Sequence, residues 1–293
     1  MKLGIALAGG GIRGAAHLGI LQALEEEGIT AEYYAGTSAG AIVATMKALG
    51  RSNKDCFQMM EQVDTSLMDI ALWNIIKSIP CKFQTLDSLF KGEKLKAFLV
   101  EHLGETFLRN TKHGLSIVTT DINTGTQVVF STEFLEKREL RKLDDRIKAF
   151  DRYTPLCLPY IVYASCALPG VFRPYDYGKM TLIDGSTTNN LPANLLPLMG
   201  ADKVIAINLS QRNPYTTKVT GIFNILGQAA STMIEQNEFL SIHHNNKDVL
   251  VLNPDLTDVS LLDFDKVKNC YEEGYRYGKK MIPVIRAQLQ LDK

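Results

Sequence analysis

Tyr33-Tyr34-Ala35-Gly36-Thr37-Ser38-Ala39-Gly40-Ala41-Ile42-Val43 is the stretch that decides how this chain is read. An apolar strand runs into Gly36-Thr37-Ser38-Ala39-Gly40, and a helix-forming run leaves it. This is G-x-S-x-G between a strand and a helix, the arrangement of a nucleophile elbow. The spacing has a steric cause. A strand that turns sharply into a helix crowds the positions two before and two after the serine, so both must lack a Cβ. Ser38 is then expected in a strained turn, hydroxyl outward, at a helix N-terminus whose dipole favours developing negative charge. The bland alternative is a tight βα turn with an incidental serine.

Upstream, Lys2 to Ala8 reads as a fully buried first strand. Gly9-Gly10-Gly11-Ile12-Arg13-Gly14 follows, and Ala15 to Glu27 reads as an amphipathic helix stopped by Gly28. The order strand, glycine turn, helix, strand, elbow, helix implies a parallel sheet with helices on both faces. Gly9, Gly11 and Gly14 also satisfy G-x-G-x-x-G, which suggests a nucleotide site. That reading wants an acidic residue at the end of the second strand to hold a ribose. Glu32 is near the right count but lies at that strand's start. A second use of the glycines fits better. Bare backbone N–H groups at a helix N-terminus make an anion or oxyanion cradle. If the first two strands are neighbours, the cradle lies beside Ser38. Arg13 either adds positive charge there or caps nearby carbonyls from the surface.

The composition excludes several classes. Thirty-two basic residues balance thirty-two acidic ones, so no global field draws the chain to nucleic acid. The five cysteines (Cys56, Cys81, Cys157, Cys166, Cys270) include no C-x-x-C, which argues against a disulfide framework or a zinc site and for a reducing, cytoplasmic setting. The apolar start Met1 to Ala8 is too short for a signal peptide, and no apolar run is long enough to span a bilayer.

The remaining pattern predicts a helix from Asn53 to Lys77, with a dense apolar end around Trp73 before Pro80-Cys81-Lys82-Phe83. Residues 63–83 could form a lid or lipid-contact helix, or an ordinary core helix. Gly92 to Leu103 reads as a helix. Leu115 to Thr120 and Thr126 to Ser131 read as a hairpin. Glu133 to Phe150 is charge-rich and reads as a solvated helix or loop, and Pro159 to Ala167 as a buried helix. Lys179 to Ile183, Lys203 to Leu209 and Asp248 to Leu252 read as strands. Val219 to Asn245 and Asp263 to Leu289 read as long helices, the second bent by Pro283.

A serine hydroxyl needs a group to take its proton. None of His17, His102, His113, His243 and His244 sits well. His17 is aimed along its helix, His102 and His113 are near solvated ends, and the last two follow a long helix rather than a strand. Asp184 sits better, at a strand end followed by Gly185, which lets the backbone approach another segment. Desolvation raises a carboxylate's pKa and makes it a better base. A D-G turn remains the bland alternative.

Four blocks now stand in order: Gly9-Gly10-Gly11-Ile12-Arg13-Gly14, Gly36-Thr37-Ser38-Ala39-Gly40, Ala164-Ser165-Cys166-Ala167-Leu168-Pro169-Gly170-Val171-Phe172 and Asp184-Gly185. Together they resemble the bacterial patatin-like phospholipases, over roughly residues 3 to 200. The resemblance implies an α/β fold of three layers, α/β/α, around a mostly parallel sheet. One hydrolase domain over 1–293 is expected, with a helical extension from about residue 211. It implies a Ser-Asp dyad without histidine, with Ser38 as nucleophile and Asp184 as base. It carries the oxyanion hole onto Gly9, Gly10, Gly11, Arg13 and Gly14. The implied substrate is a fatty-acyl ester or phospholipid. No cofactor or metal and no nucleic acid is expected, and membrane contact would be peripheral. One departure is visible: where the family has D-G-G or D-G-A, this chain has Asp184-Gly185-Ser186. A positive φ at Ser186 would cost about 1–2 kcal/mol. The unmatched region beyond residue 200 and Ser186 leave a second expectation, a regulatory or lipid-binding member with weak turnover.

Overall fold

A computed structural model describes residues 1–69, 88–210, 219–243 and 248–290. The first strand, β1 (Leu3–Leu7), is buried at every position, the pattern of a strand covered on both faces. A 3₁₀ turn at Gly11–Gly14 leads into α1 (Ala15–Glu26). Then come β2 (Tyr33–Thr37), α2 (Ala39–Ala48) and α3 (Asn53–Glu61), whose N-cap Ser52 accepts a hydrogen bond from the Asp55 N–H. After β3 (Ser88–Phe90) and α4 (Glu93–Leu103), the hairpin β4 (Gly114–Asp121) and β5 (Thr126–Ser131) turns at Gly125 with φ +66°. The chain continues through α5 (Lys137–Leu143), β6 (Ile147–Phe150), α6 (Leu158–Cys166), β7 (Gly170–Phe172), β8 (Tyr175–Tyr177) and β9 (Met180–Asp184). It closes with α7 (Ser186–Asn189), α8 (Leu196–Met199), β10 (Lys203–Ile207), α9 (Ile222–His243), β11 (Val249–Leu252) and α10 (Val267–Leu289).

The central sheet runs β11-β10-β1-β2-β4-β5-β6, and β11, β10, β1, β2 and β4 are parallel. Leu3, Ile5 and Leu7 face one core, shared with α1, α2, α3 and α10. Ala6 and Ala8 face the other, shared with Leu195, Leu196 and Met199. Alternation along one strand thus divides two cores, and helices flank both faces of the sheet as expected.

One topological detail positions the site. On one edge of β4, β5 pairs antiparallel along Ser116 to Asp121. The opposite edge is shared in sequence. β2 pairs parallel with Gly114 to Val118, and β9 pairs antiparallel with Thr119 to Asp121. Thr37 is opposite Val118 and Asp184 is opposite Thr119. The ends of β2 and β9 therefore meet head-on along one edge of β4. Sequence pattern alone leaves the direction of β9 open; its antiparallel course is what delivers its last residue to the end of β2.

Other expectations need correction. The helix predicted from Asn53 to Lys77 stops at Glu61, and Asp64 then caps a separate 3₁₀ turn at Thr65–Leu67 through the Ser66 N–H. An aspartate side chain that captures a backbone N–H two residues on competes with helix continuation. The predicted helix's apolar end around Trp73, and most of the lid expected at 63–83, lie outside the described residues. The charge-rich run 133–150 holds a strand, β6, on the sheet edge. The last helix starts at Val267 rather than Asp263 and contains Pro283.

Candidate active site

The elbow forms as the glycine spacing demands. A Cβ on Gly36 would collide with the Gly40 carbonyl oxygen, and one on Gly40 with the carbonyl oxygen of Leu7 at the end of β1. Ser38 between them has φ 55° and ψ −125°. Ser38 and Gln290 are the two non-glycine residues at positive φ among the described residues. Such a backbone stores about 1–3 kcal/mol and persists only where its surroundings enforce it. Part of that enforcement is Ser165. It accepts the Ser38 N–H at 2.9 Å and donates its own hydroxyl to the Val118 carbonyl at 2.6 Å.

Asp184 is 1% exposed. Its Oδ1 accepts the Ser186 N–H at 2.8 Å, and the Ser38 side chain is near enough to pull its pKa down. Gly185 is glycine for want of room: a Cβ there would strike the Val118 carbonyl oxygen. Burial pushes the Asp184 carboxyl up to about 6, against Ser186 and Ser38, which pull it down. Ser186 opens α7 and is absent from the positive-φ residues, so the strain considered for this position does not arise. What the position supplies is a backbone N–H on the carboxylate.

The glycine loop lies against the elbow. A Cβ on Gly9 would stand 3.1 Å from the Ser38 Cβ, and one on Gly14 would stand 2.8 Å from the Ala39 Cβ. The predicted cradle residues divide. The Gly9 N–H is already taken by Asn190, whose backbone oxygen and Oδ1 lie at 3.2 and 3.1 Å. Gly10 and Gly11 N–H groups have no hydrogen-bond partner among the described residues. Arg13 donates from Nε to the Val259 carbonyl at 2.7 Å, the carbonyl-capping behaviour of the two considered, while still lining the cavity. Ile12 donates its N–H to the Leu261 carbonyl at 3.0 Å. Glu32 accepts the Leu3 N–H at 2.7 Å, at the opposite end of β1 from the glycines, where no ribose on this loop could reach it.

His17 is fully buried, which the sequence reading missed. Its Nε2–H donates to the Ala8 carbonyl at 2.8 Å, and Nδ1 has no partner. Burial pulls its pKa down to about 4, so the ring is neutral and buttresses the chain entering the glycine loop. His102 bonds to the Phe98 carbonyl and to Gln62, and His113 stacks edge-on against Tyr34. The side chains of His243 and His244 lie outside the described residues. Ser165, Asn190 and His17 are thus the supporting residues missed. Ser165 lies in a quoted block, but nothing in its type announces that it would hold Ser38.

A cavity of about 740 Å³ opens over these groups. Ser38, Asp184 and the glycine loop form its floor, and Ile42, Met60, Leu67, Leu95, Leu168 and Phe172 give it apolar walls. Cys166 also lines it, its thiol held well above the usual range by burial. Among the described residues no cluster of three or more His, Cys, Asp or Glu is placed to hold a metal ion. No described helix is long and apolar enough to cross a membrane.

Residues 5–197 match the family model for patatin-like phospholipases. An uncharacterized NTE family protein of Mycobacterium tuberculosis is 24% identical over 93% of this chain and 45% of its own length. A protein of Neurospora crassa named lysophospholipase nte1 is 24% identical over 98% of this chain and 18% of its own. This chain therefore spans less than half the length of these relatives. The crystal structure of VipD from Legionella pneumophila superposes with a TM-score of 0.52 at 16% identity, over 97% of this chain and 67% of VipD, a likeness of fold.

Proposed function

This chain belongs to the patatin-like phospholipase family, and from that premise we propose that it is a serine hydrolase of fatty-acyl esters, with phospholipids or lysophospholipids as its substrate class. Ser38 Oγ attacks the ester carbonyl carbon while Asp184 takes the hydroxyl proton. The negative charge that develops on the carbonyl oxygen is held by the N–H groups of Gly10 and Gly11, each donor contributing roughly 3–4 kcal/mol in comparable sites. Asp184 returns its proton to the departing alkoxide. Water, deprotonated by the same carboxylate, then cleaves the acyl-enzyme and restores Ser38.

What supports this reading is the head-on meeting of the β2 and β9 ends, which brings Ser38 near the buried Asp184, beside the Gly10 and Gly11 N–H groups that have no partner among the described residues. A base poised at about 6 is mostly ionised at neutral pH, as a proton acceptor must be. The apolar walls suit an acyl chain, and the Neurospora crassa relative is named a lysophospholipase.

The test is hydrolysis by purified protein of nitrophenyl esters of graded chain length and of a lysophospholipid, run beside Ser38→Ala. Turnover that vanishes in the variant supports the reading. Turnover equal in both proteins overturns it, as does a folded wild type that cleaves none of the panel.

A further inference from the structure

Thr37 precedes the nucleophile, and the proposed chemistry gives it no role. It is fully buried, and alternation along β2 puts it on the face of Ala35, toward the second core. There its side chain meets α7, the four-residue helix that follows the base. Its Oγ1 donates to the Asn189 carbonyl at 2.8 Å, one of the oxygens that a helix end leaves without an intrahelical partner. Its Cγ2 would stand 3.0 Å from a Cβ on Gly185. Hydroxyl and methyl thus touch the two ends of one turn. That turn is a bracket. At its start the Ser186 N–H is on Asp184 Oδ1 at 2.8 Å. Across it the Asn189 N–H returns to the Gly185 carbonyl at 2.8 Å. At its far end Asn190, still helical at φ −73° and ψ −32°, places its backbone oxygen and Oδ1 on the Gly9 N–H at 3.2 and 3.1 Å. Residues 184–190 therefore carry the base at one end and the tether of the glycine loop at the other. A hydrogen bond between Thr120 Oγ1 and Thr188 Oγ1 at 2.8 Å fastens the bracket to β4. Thr37 fastens it to β2, the strand that ends in the nucleophile.

We infer that Thr37 is a positioning residue whose hydroxyl sets the bracket against the elbow, and with it the placement of Asp184 and of the glycine loop relative to Ser38. The kinetic consequence rests on the hydrolase reading; the structural one rests on the hydrogen bonds alone. Without the hydroxyl, the bracket stays anchored to β4 through Thr188 and is free to shift along β2. The base and the oxyanion donors then move together, away from the atom on which they converge. Misplacing such groups by about 1 Å can cost about 10²-fold in rate. The apolar walls at Ile42, Met60, Leu95 and Phe172 are carried by other elements, so binding of the acyl chain persists.

Two variants test this on the full chain, because they separate the hydroxyl from the methyl. Thr37→Val keeps the methyl and the shape, and it leaves the buried Asn189 carbonyl without its donor. It lowers kcat by about 10- to 10²-fold with KM little changed. Thr37→Ser keeps the hydroxyl and loses the methyl. It melts at a lower temperature than wild type but retains kcat within about threefold. A merely structural Thr37 would lower both melting temperatures and leave kcat alone, measured well below either transition. Hydrogen exchange gives a readout independent of turnover. The peptides carrying Asp184 to Asn190 and Gly9 to Gly14 exchange faster in Thr37→Val and at the wild-type rate in Thr37→Ser. If the wild type hydrolyses no ester, the hydrolase reading fails, and the exchange result still decides whether Thr37 sets the bracket. Wild-type kcat in Thr37→Val overturns the inference, as does an equal loss of kcat in both variants or equal exchange in all three proteins.

Discussion

Two strand–turn–helix corners lie side by side in this molecule, and they are held by different means. The elbow at 36–40 is built mainly from its own residues and the strand ends beside it. Gly36 packs on Gly40, Gly40 on the end of β1, and Ser38 is braced through Ser165 to β4. The glycine loop at 9–14 is suspended. His17 holds its entrance, Asn190 holds Gly9, Leu261 holds Ile12, and Val259 holds Arg13. The elbow must be rigid because it carries a strained serine. The loop must leave two N–H groups unspent, so its geometry is imposed through every other group it has.

Single added methyl groups probe this difference, and the largest effect falls on the elbow. Gly40→Ala drives a Cβ into backbone oxygens of Leu7 and Ala8, which cannot move without breaking β1. Its expected cost is more than about 4 kcal/mol, read as loss of the cooperative thermal transition. Gly10→Ala is milder. Its Cβ meets Leu209 Cδ1 at 3.0 Å, which can rotate away, and Leu209 Cβ at 3.1 Å, which can give only by a small shift. With φ 170° and ψ 15° the position also suits alanine poorly, and the change costs about 1–3 kcal/mol by denaturant unfolding, still less than Gly40→Ala. A Gly10→Ala as disruptive as Gly40→Ala would show that the loop is as rigid as the elbow.

Two further variants trade function for stability. Asp184 is raised from 3.8 to about 6 in the folded chain. A raised carboxyl adds stability that is full below about pH 3.8 and is lost as pH rises through about 6, because the folded state must then carry a buried charge. Asp184→Asn removes that penalty. Its melting temperature should exceed wild type at pH 7.5, by up to about 3 kcal/mol in stability, and the gain should vanish below pH 3.8. A pH-independent difference would mean that the carboxyl's burial is not what shifts it. Ser38→Gly relieves the positive φ but adds freedom to the unfolded chain, for a net gain of about 1 kcal/mol with loss of turnover. Destabilisation by Ser38→Gly would show that the serine's contacts outweigh its strain.

The same contrast explains what was legible in the sequence. The elbow could be read because its constraint is local: two glycines, a serine, and the strand and helix around them. The supports of the loop could not. Asn190, Val259 and Leu261 carry no motif, and their role exists only after the chain has returned to β1. The type of His17 was visible, but its burial and its bond to Ala8 follow from how α1 docks under the sheet. Strand β6 was hidden because Ile147-Lys148-Ala149-Phe150 sits in a charge-rich run and pairs only at the sheet edge. The antiparallel course of β9 was hidden too, since a five-residue strand carries no mark of its direction. Asp184 could nevertheless be singled out, because Gly185 registers the close approach to Val118 that its turn requires.

The central claim is that Asp184 activates Ser38 directly, and the pH dependence of Ser38 labelling by a fluorophosphonate tests it most plainly. The account predicts a labelling rate in the wild type that climbs through about pH 6 and falls at least about 10²-fold in a folded Asp184→Asn protein. Labelling of Asp184→Asn at the wild-type rate, or a wild-type rate flat across that range, would contradict it.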